Sequence, residues 1–364
     1  MDRRDFTKLS TLALASTQLP RAMAQDAAPA QKPIGFAAVG LGSISTAFME
    51  ACANSPSVKM TALVTGHPET KGVHFSQLYG IPKSSVYTYE TYDKLRDNPD
   101  VDAIYIGLPN SMHCEYTVRG AAAGKHILCE KPMAISSAEC QTMVDACKKA
   151  DRKLMIAYRL QYDPTWQKAY DLIRAGAIGK LQSFRGNFLQ SQVLGQWRLT
   201  KQYGGGGSVF DVGIYPLNSI RYLAQEEPSE FTAVLSTRDR DDLRFKDVEQ
   251  SVEWTMKFPS GVIASCGSSY GQLGPAYLSA HGDKGYIVMN SAFSGGGIHL
   301  TGTGGGQSFN ELGTGQGHFQ LRLEGEHFAE CIRTNAQPKS PGEEGKKDIV
   351  AIERIYQAGG SPIA

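Results

Sequence analysis

The sequence has no surplus of either charge, since 37 basic side chains stand against 36 acidic ones among 364 residues. It therefore lacks the basic excess that is typical of proteins that bind nucleic acid. It also has no apolar run long enough to cross a bilayer, which argues against stable membrane insertion. Its seven cysteines include no Cys-x-x-Cys pair, the spacing typical of zinc sites and redox motifs. Several of them lie in apolar surroundings, where buried free thiols are usual.

The first 24 residues have the order of an export signal. A pair of arginines, Arg3-Arg4, precedes a moderately apolar stretch over residues 9–19, and residues 22–24 form a small-residue cleavage site. The paired arginines resemble a twin-arginine signal; an ordinary amphipathic N-terminus is the alternative. We therefore expect residues 1–24 to be a twin-arginine-type signal peptide that binds the export machinery. We expect residues 25–32 to be a short arm and the mature protein to be periplasmic.

Strand-like and helix-like segments alternate in the first part of the chain. Short apolar runs, such as residues 34–39 and 58–65, are followed by helical patterns at the spacing of βα units. Farther on, short alternating segments are typical of an open antiparallel sheet. The sequence therefore predicts an α/β plus α+β protein. We expect a doubly wound parallel sheet in residues 33–157, an open, mainly antiparallel β-sheet domain for substrate and oligomerisation in residues 158–320, and C-terminal helices that pack back on the first domain in residues 321–364.

Glycine is dense in residues 294–317, where ten of the residues are glycines. A phosphate-binding loop is one interpretation. However, no Lys-Ser or Lys-Thr pair follows the glycines, as a P-loop requires. We expect loops that join strands.

A glycine turn between the first predicted strand and the first predicted helix points to a dinucleotide. Its sequence is Gly40-Leu41-Gly42-Ser43-Ile44-Ser45. The first two glycines permit a tight turn and let the backbone approach a pyrophosphate at the helix N-terminus. Ser45 stands where the motif has glycine or alanine, and a glycine turn without a ligand is the alternative. The pattern predicts cofactor contacts from Gly40, Leu41, Gly42, Ser43 and Ile44.

The end of the second predicted strand favours NADP over NAD. An NAD site usually has a carboxylate there to bind the ribose 2′-hydroxyl, but this strand ends in Thr65-Gly66-His67. Thr65, His67 and Lys71 offer hydroxyl and cationic groups that suit a 2′-phosphate. The alternative is that Lys71 is a solvated helix residue.

Three residues carry the predicted chemistry. Lys131, in Glu130-Lys131-Pro132, follows a predicted parallel strand and should point into the crevice where ligands bind. A cationic nicotinamide nearby would lower the pKa of Lys131; an ion pair with Glu130 is the structural alternative. Asp211 and Tyr215 follow a run of glycines and are four residues apart, so a helix would present both on one face. A lysine beside the phenol would make it a usable acid and base; a purely structural helix face is the alternative.

Several motifs together carry a resemblance to a known family. Gly40-Leu41-Gly42, Leu108-Pro109-Asn110-Ser111 with His113, Glu130-Lys131-Pro132 and Gly205-Gly206 with Asp211 resemble the Gfo/Idh/MocA oxidoreductases. Tyr158-Arg159 with Tyr162-Asp163-Pro164, Gln196-Trp197-Arg198-Leu199 and residues 340–345 are similar to the branch of the glucose–fructose and aldose–aldose oxidoreductases. The resemblance runs from about residue 34 to residue 358.

The resemblance implies an N-terminal Rossmann domain, a C-terminal sheet that serves as an oligomer interface, and a nicotinamide between the two. It implies that Lys131 is the catalytic lysine, that Tyr215 is the acid/base, and that Asp211 and Tyr158 join them around the sugar. The implied cofactor site includes Gly66, Tyr89, Leu108, Pro109, Asn110, His113, Glu130, Arg159, Trp197 and Arg198. Tyr215 stands where inositol-dehydrogenase-like members have histidine, and the arm before residue 34 is shorter than that of glucose–fructose oxidoreductase. A homodimer and a homotetramer both stay open.

Export and cofactor use together predict the reaction. A periplasm supplies no free NADP, whereas twin-arginine export moves folded proteins, so a tightly bound NADP(H) could be loaded first. We expect a ping-pong reaction in which Tyr215 takes the anomeric proton, one aldose becomes its aldonolactone, and a second sugar is reduced to an alditol. The alternatives are an ordinary NADP-dependent aldose dehydrogenase, an NAD-dependent glycosidase and a non-catalytic sugar-binding protein.

Overall fold

The structure, a computed structural model, describes residues 32–363. The predicted signal peptide and residues 25–31 of the predicted arm lie outside the described residues. Along the described part of the chain, no helix combines the length and the apolar character that a membrane span needs.

Six parallel strands form the first sheet. They are β1 (Ile34–Val39), β2 (Val58–Val64), β3 (Val86–Tyr87), β4 (Ala103–Ile106), β5 (His126–Glu130) and β6 (Leu154–Ala157), in the order β3-β2-β1-β4-β5-β6. Every residue of β1 and β4 is buried, as expected for parallel strands that are covered on both faces. The predicted doubly wound sheet is confirmed.

Helices cover both faces of this sheet. They are α1 (Ser43–Cys52), α2 (Val73–Tyr79), α3 (His113–Ala122) and α4 (Ser137–Lys149), together with the C-terminal α8 (Phe319–Thr334) and α9 (Gly342–Ala358). Alternate side chains of β1 belong to two cores, because successive residues of a strand point to opposite faces. Phe36 packs in the core that α1 and α8 share, whereas Val39 packs in the core that includes residues of α4 and α9. The two last helices are thereby held against the first sheet.

Eight strands form the second sheet. They are β7 (Leu181–Leu189), β8 (Glu230–Ser236), β9 (Ser251–Lys257), β10 (Ile263–Ser269), β11 (Tyr277–Gly282), β12 (Tyr286–Asn290), β13 (His299–Gly304) and β14 (Gln307–Leu312), in the order β14-β13-β12-β11-β7-β10-β9-β8. All neighbouring pairs are antiparallel except β7 and β10. The remaining helices are α5 (Pro164–Arg174), α6 (Lys201–Gly204) and α7 (Ile214–Ala224). The prediction of an open, mainly antiparallel sheet is confirmed.

The glycine-dense segment is not only loop, and that prediction was wrong. It contains β13 and β14, which are joined by a two-residue turn at Gly305 and Gly306, both with positive φ. The glycines inside β13 allow close backbone approach: a Cβ on Gly302 would lie 2.1 Å from the Tyr286 carbonyl oxygen. These glycines interrupt the alternating pattern by which a strand is recognised in a sequence.

Candidate active site

The carboxyl ends of the parallel strands open into a cleft of about 870 Å³. This edge of a doubly wound sheet is where ligands bind. The cleft brings together most of the predicted site residues: Gly40, Leu41, Gly42, Ser43, Ile44, Thr65, Gly66, His67, Lys71, Tyr89, Leu108, Pro109, Asn110, Glu130, Lys131, Arg159, Trp197, Arg198, Asp211 and Tyr215. Glu130 ends β5, and the others lie in loops and helical turns that follow the strands of the first sheet or that connect β7 to β8.

The glycine turn has the geometry that a pyrophosphate needs. Gly40 has a φ of +79°, and a Cβ there would lie 2.7 Å from the Gly107 carbonyl oxygen. A Cβ at Gly42 would meet open space, so the backbone is accessible from the cleft. No side chain among the described residues caps the N-terminus of α1, which leaves its N–H groups for an anion. Ser45 is fully buried and is tolerated because the residue facing it is Gly107.

The turn after β2 carries no carboxylate into the cleft. Thr65 is buried, and its hydroxyl accepts a hydrogen bond from the His67 backbone N–H at 3.1 Å. Lys71 Nζ donates to the Leu41 carbonyl oxygen at 3.0 Å, which draws the ammonium group to the glycine turn. Among the described residues, the carboxylates that line the cleft are those of Glu130 and Asp211. The donor set at this turn therefore fits a dinucleotide with a 2′-phosphate.

Lys131 and Asp211 form a largely buried ion pair in the cleft. Lys131 Nζ donates to the Asp211 backbone oxygen at 2.8 Å and to Asp211 Oδ1 at 3.1 Å. Asp211 Oδ2 accepts a hydrogen bond from the Tyr270 hydroxyl at 3.0 Å and forms an ion pair with Arg198 Nε, also at 3.0 Å. Burial alone would raise the pKa of Asp211, but Lys131 and Arg198 outweigh it and hold that pKa below its usual value. The carboxylate is thus anionic and is held by two hydrogen-bond donors and one further cation.

The protein's own groups raise the pKa of Lys131, whereas the expected lowering depends on a cationic nicotinamide beside it. Burial favours a lower pKa, but the nearby Tyr215, Asp211 and Glu130 outweigh it and raise the pKa of Lys131. The alternative ion pair between Glu130 and Lys131 does not form. Glu130 Oε1 instead accepts from the Tyr105 hydroxyl at 2.5 Å, and Oε2 accepts from the Lys131 backbone N–H at 3.2 Å. Lys131 is therefore a stable cation that faces the cleft.

Tyr215 lies in the first turn of α7, after a π-helical turn over Val209–Gly213 that contains Asp211. Its ring is packed against Phe188 and Phe293, at centroid distances of 5.5 and 5.8 Å. Lys131 Nζ lies 4.5 Å from the centre of the Tyr215 ring. The hydrogen bond to the phenolic oxygen comes from Arg159 Nη2, at 3.3 Å. Lys131 therefore acts on the ring face, and Arg159 on the hydroxyl group.

Two predicted site residues lie outside the cleft, which corrects those predictions. His113 is fully buried, with its ring nitrogens each 2.9 Å from the carbonyl oxygens of Pro132 and Leu108, and burial lowers its pKa. It ties together two cleft loops and does not reach a cofactor. Tyr158 is buried, with its pKa raised by burial. It lines a small cavity that Lys131, Arg159 and Tyr215 also line, and it is not among the residues that line the cleft.

Several cleft residues were missed from the sequence, and three polar ones are Gln190, Gln192 and His318. Gln190 and Gln192 follow β7, and His318 precedes α8. The two glutamines could have been found from their spacing. They lie two residues apart just beyond a strand, and every second residue of a strand points to the same face. They add neutral amide groups to the wall of the cleft that belongs to the second sheet, groups that suit hydroxyl-rich ligands.

Comparisons with known proteins agree with this architecture. A family model described as an oxidoreductase family with an NAD-binding Rossmann fold matches residues 34–158. A second model, the GFO/IDH/MocA C-terminal domain, matches residues 166–288. Aldose-aldose oxidoreductase from Caulobacter crescentus is 40% identical in sequence, with a TM-score of 0.86 over 90% of this chain and 98% of that chain.

Curated relatives extend the comparison. D-xylose 1-dehydrogenase [NADP(+)] from Haloarcula marismortui is 30% identical over 345 residues, which cover 92% of this chain and 93% of the relative. Levoglucosan dehydrogenase from Pseudarthrobacter phenanthrenivorans is 31% identical over 221 residues, covering 53% of this chain and 56% of the relative. With two family models in sequence order and a full-length relative, the chain belongs to the Gfo/Idh/MocA family of oxidoreductases, with an NAD(P)-binding Rossmann domain.

Proposed function

We propose that the protein is a periplasmic aldose oxidoreductase that keeps NADP(H) bound, oxidises one aldose to its aldonolactone and reduces a second sugar to an alditol. The observation that carries the proposal is the group of Lys131, Asp211 and Tyr215 in the same cleft as the glycine turn. The similarity to an aldose-aldose oxidoreductase and to an NADP(+)-dependent xylose dehydrogenase supports an aldose as the substrate.

The side chains have distinct roles in this proposal. Tyr215 takes the proton of the anomeric hydroxyl in the first half of the reaction and returns a proton to the carbonyl oxygen of the second sugar. The Lys131 ammonium group has three N–H donors, and two point at Asp211, which leaves the third for a sugar oxygen. Asp211 holds that ammonium group in place. A nicotinamide bound in the cleft supplies the hydride chemistry.

We propose NADP as the cofactor, and a charge at position 65 tests this. In Thr65→Asp, the new carboxylate can accept the His67 N–H bond that Thr65 accepts now, but it repels a 2′-phosphate. We expect the Kd for NADP to rise about tenfold more than the Kd for NAD, equivalent to ~1.4 kcal/mol. Thr65→Asn introduces a side chain of the same shape as Asp without the charge, and it is the control. It should change the Kd for NADP and the Kd for NAD by the same factor. Equal losses for the two cofactors in Thr65→Asp would show that this turn does not contact the phosphate.

Retention of the cofactor is tested on protein purified without added nucleotide. Denaturation should release about one NADP(H) per chain, since a retained cofactor copurifies. The absorbance at 340 nm should rise when glucose is added and fall when a second sugar follows, with no cofactor supplied.

The same experiment separates the alternatives. An ordinary dehydrogenase would have an empty site and would need added NADP in each turnover. A glycosidase would cleave a glycoside and give no lasting change at 340 nm with free glucose. In a non-catalytic sugar-binding protein, glucose would change the absorbance at 340 nm no more in the wild type than in Tyr215→Phe. An empty site whose full activity depends on excess NADP would rule out retention.

The location and the assembly state are also proposals. The order of the first 24 residues supports export to the periplasm. The second sheet has a face on which Val234, Ile263 and Tyr286 are exposed, which supports a homodimer or homotetramer through this sheet. Cell fractionation tests the first proposal, and light scattering on the purified protein tests the second.

A further inference from the structure

The phenolic oxygen of Tyr215 and the ammonium group of Lys131 have different partners. Lys131 donates to Asp211 and lies over the ring of Tyr215. Arg159 Nη2 lies 3.3 Å from the phenolic oxygen, and its guanidinium carbon lies 5.2 Å from the centre of the ring. The group that meets the proton-carrying oxygen is therefore a guanidinium, which stays charged at all relevant pH values.

Arg159 is held rigidly by groups that are themselves fixed. Nη2 also donates to the Phe293 carbonyl oxygen at 2.7 Å, and Nη1 donates to the Ser294 carbonyl oxygen at 2.8 Å. Nη1 donates further to the side-chain oxygen of Gln320, which is fully buried. The other end of that amide donates to Asp163 Oδ2 at 2.5 Å. The guanidinium thus has one orientation, with Nη2 aimed at Tyr215.

Asp163 anchors this chain of contacts to the start of a helix. Its Oδ1 accepts from the Thr165 backbone N–H at 2.8 Å and caps α5. The chain of contacts therefore runs from α5 through Gln320 of α8 to the first turn of α7. Such a frame places a donor within hydrogen-bond distance without any movement when a proton leaves the phenol.

We propose that Arg159 is a positioning residue for Tyr215: it holds the phenolic oxygen in place and stabilises its anionic form, which leaves Lys131 free to bind the sugar oxygen. This inference rests on the proposed function, and it adds a second role to the prediction that Arg159 binds the cofactor. Charge-assisted hydrogen bonds are about twice as strong as neutral ones, so Arg159 binds phenolate better than phenol. Lys131 lies over the Tyr215 ring, and the other charged or titratable groups that line the cleft are His67, Lys71, Tyr89, Glu130, Arg198, Asp211 and His318.

A double-mutant cycle distinguishes this role from a structural one. Single-turnover oxidation of an aldose, followed at 340 nm, is compared in wild type, Arg159→Met, Tyr215→Phe and the double variant. Arg159→Met should slow the wild-type reaction about tenfold to hundredfold, but should slow Tyr215→Phe less than about threefold, because the coupling needs the hydroxyl group. Equal losses in the two backgrounds would overturn the proposal.

An optical titration supplies a readout that needs no turnover. The absorbance rise near 295 nm, taken as the difference between each chain and its Tyr215→Phe partner, reports the ionisation of Tyr215. In Arg159→Met, where the phenolic oxygen loses the charged donor that lies 3.3 Å away, we expect this rise at a higher pH than in wild type. Arg159→Lys keeps a charge near the same place and should shift it less; it also serves if Arg159→Met does not fold. An unchanged titration would overturn the proposal even in a protein that oxidises sugars, and a shifted one would support it even if glucose is not a substrate.

Discussion

Replacing Tyr215 with phenylalanine should slow both halves of the sugar reaction by about 10²–10⁴-fold, the usual cost of a lost acid/base group. The change removes only the hydroxyl, while the ring keeps its contacts with Phe188 and Phe293. Oxidation of the first sugar and reduction of the second need the same proton transfer in opposite directions, so both rates should fall together. Single-turnover measurements at 340 nm for each half give the two rates.

Controls separate chemistry from folding in this variant. The amount of NADP(H) released on denaturation and the melting temperature should stay close to wild type, because the ring and its packing are unchanged. If Tyr215→Phe oxidises an aldose at nearly the wild-type rate, Tyr215 is not the base. The helix face that carries it would then be structural.

Lys131→Met should have the second largest effect, with a loss of about 10²-fold or more in both halves. Methionine fills a similar volume but removes the cation over the Tyr215 ring and the donor that faces the sugar. The activity that survives should need a more alkaline pH, since the phenol loses a neighbouring positive charge. Rates over a range of pH check this.

The matched control for Lys131→Met is Arg198→Met. It also removes a cation that pairs with Asp211. Arg198, however, lies over the ring of Trp197, whereas Lys131 lies over the ring of Tyr215. Its effect on the single-turnover rate should be clearly smaller. Equal losses in the two variants would mean that Lys131 acts only by holding Asp211.

Lys131→Met should also change how the free energy of unfolding depends on pH. In wild type, the pKa of Asp211 is lower in the folded chain than its usual value, mainly through Lys131 against the opposing effect of burial. A lowered carboxylate pKa adds stability above pH about 4 and loses it as pH falls through the folded value. Lys131→Met should therefore lower the melting temperature at neutral pH, and the difference from wild type should narrow on acidification. A difference that stays constant with pH would contradict this assignment.

Local patterns were sufficient for much of the fold. Neighbouring residues were enough to predict the buried strand β1, the glycine turn and the start of α1. Tight turns and helix starts depend on local geometry. The hairpin of β13 and β14 was not predicted, since Gly302 and Gly304 are explained by the close approach of the carbonyl oxygens of Tyr286 and Ala177, which lie elsewhere in the sequence. The local sequence pattern around the hairpin does not reveal these contacts.

The sequence by itself determined the family, the doubly wound sheet and the residue types of the cleft, since these follow from short motifs. Tertiary structure decided which of them meet. Lys131 pairs with Asp211, 80 positions away, and Arg159 reaches Tyr215, 56 positions away. His113 and Tyr158 are turned away from the cleft by the same packing. The physical reason is that a hydrogen bond requires atoms within about 3 Å, and this precision depends on how the second sheet and the last helices pack against the first sheet.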